Sequence, residues 1–369
     1  MQFAVRPEIR EYSTCREFAE AFNIGEGDLI VTNRYIYEPF FGEMKLSCEV
    51  IFQEEFGEGE PSDEMAEAIF SKIQKRPERI IGIGGGTVLD LSKLFALKQV
   101  LPVLDLFDGK LPLKKDKQLI LVPATCGTGS EVTNISILAL KSRNTKKGLA
   151  SPELFADYAV LIPELPETLP FHFFATSSID ALIHAAESAL SPKATEYSRL
   201  FSYKAMKMII EGYKQIRANG ADARFPLLKD FLIASDFAGI AFGNAGCAAV
   251  HALSYPLGAA FHVAHGEANY ALFTAVLKYY NEHRPEGELT RLKEFLAKEL
   301  DCGPEESFDE LESLLGCLLL RKSLREYGMI REQLESFTGS VLENQQRLLA
   351  NNFVPFNAED ILTIYSRLF

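Results

Sequence analysis

Short apolar segments alternate with helical segments through the first 165 residues, and this alternation restricts the fold more than any other feature of the sequence. Strands separated by helices predict a mostly parallel sheet that helices cover on both faces. Beyond Phe171 the strand pattern disappears, and long segments with helical periodicity follow one another. We therefore predict an α/β domain over residues 1–165 and an all-α domain over residues 166–369. The predicted strands are 28–32, 50–52, 79–83, 119–123 and 158–162.

The charge and cysteine content disfavour several classes of protein. A formal net charge of −13 disfavours binding to nucleic acid or to an anionic membrane surface, so an anionic ligand would need locally placed cations or helix N-termini. The six cysteines are scattered without a C-x-x-C pair, which is typical of a reduced intracellular chain. The first residues show no secretory signal, and no apolar run approaches the roughly 18 residues of a membrane span. We therefore expect a cytoplasmic protein with neither a nucleic-acid nor a membrane partner.

A glycine-rich turn follows the strand 79–83 and opens a helix. It contains Gly84, Gly85, Gly86 and Thr87. Glycines let the backbone approach a pyrophosphate closely, and the first N–H groups and the dipole of the helix favour the anion. The turn departs from the G-x-G-x-x-G fingerprint, because Thr87 occupies the position of the last glycine. By itself, such a turn is explained equally well as a tight connection between strand and helix.

A second loop of the same character strengthens the nucleotide interpretation. Residues 124–132, ATCGTGSEV, follow the strand 119–123. Both loops should reach the carboxyl edge of one sheet, which is where open α/β sheets bind nucleotides. Lys146 and Lys147 follow in a stretch that we interpret as a polar loop, and either lysine could approach a phosphate or a ribose. The alternative is a solvated basic pair, which fits Lys147 better than Lys146.

Half of the chain's six histidines lie in the segment 246–270: they are His251, His262 and His265. We expect the sequence Pro256-Leu257-Gly258 to break the helical run that carries His251. A new helix should begin near His265, because an apolar periodic segment follows it. Two helix ends that meet across such a break could bring His251 and His265 onto one ion.

The remaining ligands of such an ion are predicted upstream, in the sequence SSIDALIH. Asp180 and His184 are four residues apart, so on a helix they project from one face. One carboxylate and three imidazoles suit a borderline divalent ion such as Fe2+ or Zn2+. The alternative is that each histidine is an isolated core or surface residue, but three histidines with a matching D-x-x-x-H favour the metal.

Together these motifs resemble the iron-containing, or group III, alcohol dehydrogenase family. The resemblance runs from about Thr32 to the C-terminus, and it is carried by GGGTVLDLSK, PATCGTGSEVT, SSIDALIHAAES and VHALSYPLGAAFHVAHGEAN. It implies a Rossmann-like dinucleotide-binding domain, a helical domain and a metal in the cleft between them. More narrowly, EPSDEM, HALSYPLG, FHVAHGEANY, LREYGM and QQRLLANN resemble the 4-hydroxybutyrate dehydrogenases of that family.

The resemblance also implies roles for individual residues. Its four metal ligands coincide with the set that spacing predicts: Asp180, His184, His251 and His265. Its pyrophosphate turn falls on Gly85, Gly86 and Thr87, with Asp90 behind it. The nucleotide-contacting threonines correspond to Thr125 and Thr128, and a lysine on the cofactor side corresponds to Lys146.

Two positions depart from the family pattern. Many members have an aspartate after the first strand that binds the ribose hydroxyls of NAD and repels the 2′-phosphate of NADP. Here that residue is the neutral Asn33, so the resemblance implies NAD without excluding NADP. Many members also have a proton-transferring histidine where this chain has Tyr255. A phenol, with a pKa near ~10, is a poorer base than imidazole. Either a nearby cation lowers the pKa of Tyr255, or the proton leaves by another route, such as His262, the nicotinamide ribose or water.

The implied reaction is hydride transfer between 4-hydroxybutyrate and NAD, which gives succinic semialdehyde. We expect Tyr255 and His262 to lie on the substrate side, and Arg325 or Arg347 to supply a positive charge for the carboxylate. A surface or interdomain salt bridge is an equally good explanation of either arginine. Another short-chain alcohol or diol dehydrogenase, a dehydroquinate-synthase-like lyase and a non-enzymatic nucleotide sensor are the alternative functions. The expected partners are a small hydroxy-acid or aldehyde substrate and a second copy in a homodimer.

Overall fold

The computed structural model describes residues 3–143 and 145–369, which form two compact units. The first unit comprises Val5–Leu169, and the second comprises Pro170–Phe369 together with the N-terminal Phe3 and Ala4. The N-terminus belongs to the second unit because the Ala4 amide donates to Asn244 Oδ1 at 2.8 Å. The Phe3 ring also stacks on Phe201, with the ring centroids 5.8 Å apart. No pattern in the sequence predicts this return of the N-terminus to the helical unit.

The first unit is built on a parallel sheet. Six strands are hydrogen-bonded in the order β1-β8-β5-β4-β2-β3, and every neighbouring pair is parallel. The remaining two, β6 and β7, form an antiparallel hairpin. The strands are β1 Glu8–Glu11, β2 Asp28–Thr32, β3 Glu49–Phe52, β4 Arg79–Gly84, β5 Gln118–Pro123, β6 Ile135–Leu140, β7 Thr145–Ala150 and β8 Tyr158–Leu161.

Apolar side chains on both faces of the central strands account for this arrangement. In β2, Leu29 and Val31 point into one hydrophobic core, and Ile30 points into the other. Strand β5 alternates in the same way between Leu121 and Ile120. A strand buried on both faces is almost uniformly apolar, as parallel sheets require. The predicted parallel α/β domain is therefore confirmed.

Helices cover both faces of the sheet. The serine N-cap that the sequence suggests for α3 is present, since Ser62 Oγ accepts from the Met65 amide at 3.1 Å. Helix α4 differs, because its N-cap residue Gly85 has no side chain with which to accept from the first amides. The helices of this unit are α1 Cys15–Ala21, α2 Arg34–Phe41, α3 Asp63–Phe70, α4 Gly86–Phe95 and α5 Val103–Phe107.

The hairpin of β6 and β7 corrects one expectation from the sequence. Lys146 and Lys147 lie in strand β7, not in a polar loop, and pair with Ala139 and Leu138 of β6. Adjacent lysines hide the alternating pattern by which a half-buried strand is normally recognised. The strand forms because the apolar residues of β6 provide a partner that lies several residues away in the chain.

The second unit is helical throughout, as predicted, and contains no strand among its described residues. Its central helix is α6, in which every side chain from Ser178 to Leu190 is buried, and it packs against α7, α8 and α10. The helices are α6 Phe171–Leu190, α7 Glu196–Asn219, α8 Leu228–Ala245, α9 Ala249–Phe261, α10 His265–His283, α11 Glu288–Leu300, α12 Ser307–Gly316, α13 Gln333–Asn344, α14 Gln346–Leu349 and α15 Ala358–Leu368.

No single helix among the described residues has both the length and the apolar character of a membrane span. The bent pair Ala221–Ala245 and Ala249–Phe261 has both when the two helices are taken together.

The expected helix break at Pro256 is wrong. Helix α9 continues through Pro256, and the chain leaves the helical path only at His262, whose φ is 54°. A proline inside a helix removes one hydrogen bond and strains the preceding turn. Here its neighbours Tyr255 and Leu257 are buried, so side-chain packing holds the helix together. The second part of the expectation is confirmed, because α10 begins at His265.

Candidate functional site

Four side chains predicted as metal ligands converge within the helical unit. Asp180 and His184 come from α6, His251 from α9 and His265 from α10, and one candidate ligand atom from each lies within 4.8 Å of the others. From the Asp180 carboxylate, the Nε2 atoms of His184, His251 and His265 are 4.0, 3.6 and 3.9 Å away. Two ligand atoms that are each about 2.1 Å from one ion lie at most about 4.2 Å apart. The separations from Asp180 therefore fit a single metal ion.

A glycine beside His265 lets α10 approach α6 this closely. A Cβ atom at Gly266 would lie 2.2 Å from the Thr176 carbonyl oxygen and 3.3 Å from Asp180 Cβ. The first of these distances is an overlap with backbone, which cannot move aside without shifting α6. Gly266 is thus required for the contact that places His265 next to Asp180.

Replacing Gly266 with alanine should therefore damage both the fold and the metal centre. We expect the unfolding free energy to fall by about 1–3 kcal/mol, as for other overpacked positions, and iron or zinc to bind more weakly. Thermal unfolding and a metal titration would measure the two effects. Gly316→Ala is the matched control, because an added Cβ there meets no atom within 4 Å. A Gly266→Ala protein with unchanged stability and metal affinity would contradict the prediction.

Glu187 forms a hydrogen bond with His251 that the sequence analysis did not predict. Its Oε2 lies 2.6 Å from His251 Nδ1 and accepts from the Ala248 amide at 2.9 Å, while its Oε1 accepts from the Val250 amide at 2.6 Å. A carboxylate at Nδ1 keeps the proton on that nitrogen and leaves the lone pair of Nε2 available to a metal. His251 Nε2 is buried and has no hydrogen-bond partner among the described residues, as a metal ligand would in the absence of its ion.

Asn269 positions the Asp180 carboxylate and was also missed. Its Nδ2 donates to Asp180 Oδ1 at 2.7 Å, and its Oδ1 accepts from Ser254 Oγ at 2.5 Å. Burial by itself raises the pKa of Asp180, but the surrounding histidines and Asn269 outweigh burial and lower it. Asp180 is therefore an anionic donor at neutral pH. Helical spacing offers a signal for both missed residues, since Glu187 is three residues after His184 and Asn269 four after His265.

The two residues predicted to serve proton transfer lie in different surroundings. Tyr255 is buried one turn after His251 on α9, and its ring centroid is 6.0 Å from that of His265. His262 is exposed at the end of the same helix. Among the described contacts, none joins His262 to the four converging side chains. The structure thus brings Tyr255, but not His262, to the candidate metal centre.

In the α/β unit, the two glycine-rich loops lie side by side. A Cβ at Gly86 would be 2.9 Å from Thr128 Cγ2, and one at Gly85 would be 3.6 Å from Thr125 Cγ2. Gly84 is also required, because its Cβ would lie 2.8 Å from Val88. The loops follow the neighbouring strands β4 and β5, so the prediction that they share one sheet edge is confirmed. The uncapped first turn of α4 opens at this edge, where helix amides favour an anion.

Asp90 and a buried lysine hold the second loop against α4. Asp90 Oδ1 accepts from Ser130 Oγ at 2.6 Å, and its Oδ2 accepts from the Ile137 amide at 2.8 Å. The fully buried Lys93 donates to Ser130 Oγ and to the Ile135 carbonyl at 2.7 and 2.6 Å. Both carboxylate oxygens of Asp90 are thus used by the protein, which places this residue behind the glycine turn.

Three other predicted cofactor residues, Asn33, Thr87 and Lys146, contact side-chain or backbone oxygens of the protein. Asn33 is buried at the end of β2, and its Nδ2 donates to Gln53 Oε1 at 3.1 Å and to Glu54 Oε2 at 3.0 Å. Lys146 forms an ion pair with Glu60, and Thr87 Oγ1 donates to the Gly59 carbonyl at 3.0 Å. The carboxylate of Glu54 at the end of β2 is a further feature that sequence reasoning missed.

Comparison with known proteins identifies the class to which this fold and site belong. The family model described as iron-containing alcohol dehydrogenase matches residues 11–163, and the model of that family's C-terminal domain matches residues 174–369. The chain therefore belongs to the iron-containing alcohol dehydrogenase family, and the resemblance inferred from its motifs is confirmed. This match supports the dehydrogenase and gives the lyase alternative no support.

Individual relatives narrow the comparison. The 4-hydroxybutyrate dehydrogenase of Clostridium kluyveri is 52% identical over 364 residues, which are 98% of this chain and 98% of that protein. Long-chain-alcohol dehydrogenase 1 of Geobacillus thermodenitrificans is 37% identical over 79% of this chain and 74% of its own length. The crystal structure of sulfoacetaldehyde reductase from Bifidobacterium kashiwanohense in complex with NAD+ superposes with a TM-score of 0.86 at 23% identity, and the match covers 100% of this chain and 98% of that one. At that identity the likeness establishes the shared fold.

Proposed function

We propose that this protein is a metal-dependent, NAD-linked dehydrogenase that interconverts 4-hydroxybutyrate and succinic semialdehyde. The observation that carries the choice of substrate is the 52% identity to a 4-hydroxybutyrate dehydrogenase over 98% of both chains. Family membership supports the reaction class, oxidation of an alcohol, and the small-molecule nature of the substrate. Neutral short-chain alcohols and diols are the competing substrates within the same family.

The four converging side chains would hold the metal ion, which the family description gives as iron; zinc suits the same donors. An ion bound there supplies Lewis-acid polarisation of the alcohol or carbonyl oxygen, while NAD supplies the hydride acceptor. Glu187 keeps His251 in the tautomer that presents Nε2, and Asn269 orients the Asp180 carboxylate. These hydrogen bonds fix the donor atoms before the ion arrives, so little reorganisation accompanies its binding.

The paired loops of the α/β unit would hold the pyrophosphate of NAD. Gly84, Gly85 and Gly86 let the phosphate approach the backbone, and the first turn of α4 supplies N–H donors and a favourable dipole. The second loop supplies Thr125 and Thr128. Asp90 and Lys93 contribute indirectly, because their hydrogen bonds to Ser130 hold the second loop in place. The NAD+ complex of the structurally similar reductase supports the choice of a nicotinamide dinucleotide.

Glu54 supports NAD over NADP, although the aspartate of the family is replaced by Asn33. Its two carboxylate oxygens bond Asn33 Nδ2 at 3.0 Å and the Arg34 amide at 2.7 Å. A negative charge therefore lies at the end of β2, although the residue that provides it, Glu54, follows β3 in the chain. A carboxylate at this position repels the 2′-phosphate of NADP.

Replacing Glu54 with glutamine should weaken the discrimination between the two cofactors. We expect the ratio of the NADPH and NADH dissociation constants to fall by about tenfold, which corresponds to roughly 1.4 kcal/mol of lost repulsion. Fluorescence titration with each reduced cofactor measures the ratio without turnover. Glu55→Gln removes an equal charge one residue away, from a side chain paired with Arg34 at 2.7 Å, and should have a smaller effect. An unchanged ratio in Glu54→Gln would remove Glu54 from this role.

Tyr255 would lie on the substrate side of the metal centre, because it adjoins His265 one turn after His251. A phenol can donate a hydrogen bond to a substrate oxygen but is a poorer base than imidazole. Proton release would then pass to His262, to the nicotinamide ribose or to water. The roles of Tyr255 and His262 stay predictions.

An assay of metal-reconstituted protein tests the proposed function directly. Protein loaded with Fe2+ or Zn2+ is mixed with NAD or NADP and with 4-hydroxybutyrate, 1-butanol, lactaldehyde or 1,3-propanediol. We expect the absorbance of reduced nicotinamide to grow fastest with 4-hydroxybutyrate and NAD. Faster growth with a neutral alcohol would support a different dehydrogenase of the family. Cofactor binding without turnover of any substrate would support the sensor alternative.

Compartment and assembly are further proposals. The six cysteines are all free, which supports a reducing compartment such as the cytoplasm. The net charge of −13 supports the absence of nucleic-acid and membrane partners. The homodimer stays a prediction, which analytical ultracentrifugation would test.

A further inference from the structure

The segment that begins with α14 lies against the polypeptide that leads into His251. Asn351 Nδ2 donates to the Cys247 carbonyl at 2.8 Å, and a Cβ at Gly246 would lie only 2.4 Å from the same nitrogen. Helix α14 itself packs against α9. Candidate ligand atoms of Glu187, Cys247 and His251 lie within 4.8 Å of one another, so the segment 346–352 adjoins the residues around His251.

Arg347 carries the positive charge of this segment. Its side chain is exposed, and it lies on α14, the helix that packs against α9, which carries His251. The guanidinium of Arg347 forms no hydrogen bond or ion pair with the residues that the structure describes.

Other cations of the C-terminal part of the chain already have partners. Arg325, the alternative considered from the sequence, lies over the Phe369 ring at 4.5 Å. Arg321 donates to Thr274 Oγ1 at 2.7 Å, and Lys322 pairs with Glu267 at 3.0 Å. Of the two arginines suggested by the sequence, the structure therefore favours Arg347 as the one available to an anion.

The same segment contains buried amide groups without partners. Asn351 Oδ1 and both side-chain polar atoms of Asn352 are buried and lack hydrogen bonds among the described residues. Leaving such groups unpaired costs about 1–3 kcal/mol each, so water or a ligand is expected to bond them. Of these unpaired atoms only Asn352 Nδ2 is a donor, and together with the Arg347 guanidinium it could donate to a carboxylate.

We propose that Arg347 binds the carboxylate of the substrate and thereby selects a short hydroxy acid over a neutral alcohol. The inference rests on the proposed function and assigns the subsite that recognises the acid. In 4-hydroxybutyrate the carboxylate is three carbon–carbon bonds from the carbon that is oxidised, a span of about 4 Å. The hydroxyl would lie at the metal centre while the carboxylate reaches the adjoining segment. In a chain of net charge −13, this cation also offsets the repulsion of an anionic substrate.

Arg347→Gln tests the proposal through substrate preference. The ratio of kcat/KM for 4-hydroxybutyrate to that for 1-butanol should fall by about 10- to 100-fold, mainly through KM for the acid, because a charge-assisted hydrogen bond is lost. Arg347→Lys keeps the charge and should recover part of the preference. Arg325→Gln is the matched control and should leave the ratio unchanged. Calorimetry with butyrate, an unreactive carboxylate, should show at least about tenfold weaker binding to Arg347→Gln.

The outcomes separate the inference from the proposed function. If the unmodified protein shows no preference for 4-hydroxybutyrate over 1-butanol, the proposed function is wrong, and the inference is lost with it. If the preference exists and Arg347→Gln retains both it and butyrate binding, Arg347 is not the carboxylate subsite while the function stands. A loss of preference in Arg325→Gln alone would assign the subsite to Arg325 and overturn the inference.

Discussion

Asp180→Asn should yield a folded protein that no longer retains its metal and whose kcat/KM is lower by on the order of 10³-fold. The metal contributes several kcal/mol of transition-state stabilisation, and about 4 kcal/mol corresponds to that factor. Asparagine has the shape of aspartate, and its oxygen can still accept from Asn269 Nδ2. The substitution therefore removes the charge that attracts a cation among three histidines while it preserves the packing of α6.

Elemental analysis of the purified variant measures the metal, and the 4-hydroxybutyrate assay measures the rate. Asp230→Asn is a suitable control, because Asp230 is an exposed aspartate of α8 in the same unit. It should retain both metal and activity. A metal-loaded and fully active Asp180→Asn protein would show that the four converging side chains are not the metal centre, whatever the family membership.

The second large effect is expected from the substitution Glu187→Gln, although Glu187 is not one of the four predicted metal ligands. We expect the metal dissociation constant to rise by about 10- to 100-fold, as for other residues that orient a ligating histidine. Glutamine cannot accept from all three donors that Glu187 serves, because one side of its amide is a donor. Either the His251 ring or a backbone amide of the segment 248–250 then loses its partner.

Metal affinity must be separated from fold stability in this experiment, because an unsatisfied buried donor costs about 1–3 kcal/mol. Tyr213→Phe provides the comparison, since it removes a buried hydrogen bond of 2.8 Å to Ser178 on the same helix without altering the groups around the metal. Both variants should unfold at lower temperature, but only Glu187→Gln should bind metal more weakly. Equal metal affinities in the two variants would show that Glu187 contributes to fold stability but not to metal binding.

The sequence alone determined the two-part architecture and the four metal-binding candidates. Local periodicity was sufficient in each case: strands buried on both faces read as apolar runs, and the central helices carry the period of 3.6. Asp180 and His184 lie one turn apart on one helix, so their common direction follows from spacing. The motifs of the two glycine loops and of the histidine segment indicated the protein family and, through it, the class of reaction.

Tertiary structure decided the remaining features, because they depend on contacts between distant parts of the chain. Glu187 meets His251 across 64 residues, and Asn269 meets Asp180 across 89. No periodicity within one helix predicts which face of another helix it will meet. Packing also keeps α9 helical through Pro256, pairs the lysine-containing β7 with β6 and places α14, the helix of Arg347, against α9. Spacing along a helix or strand can be read from the sequence, whereas the orientation of a metal ligand and the charge near a substrate arise only when separate elements pack together.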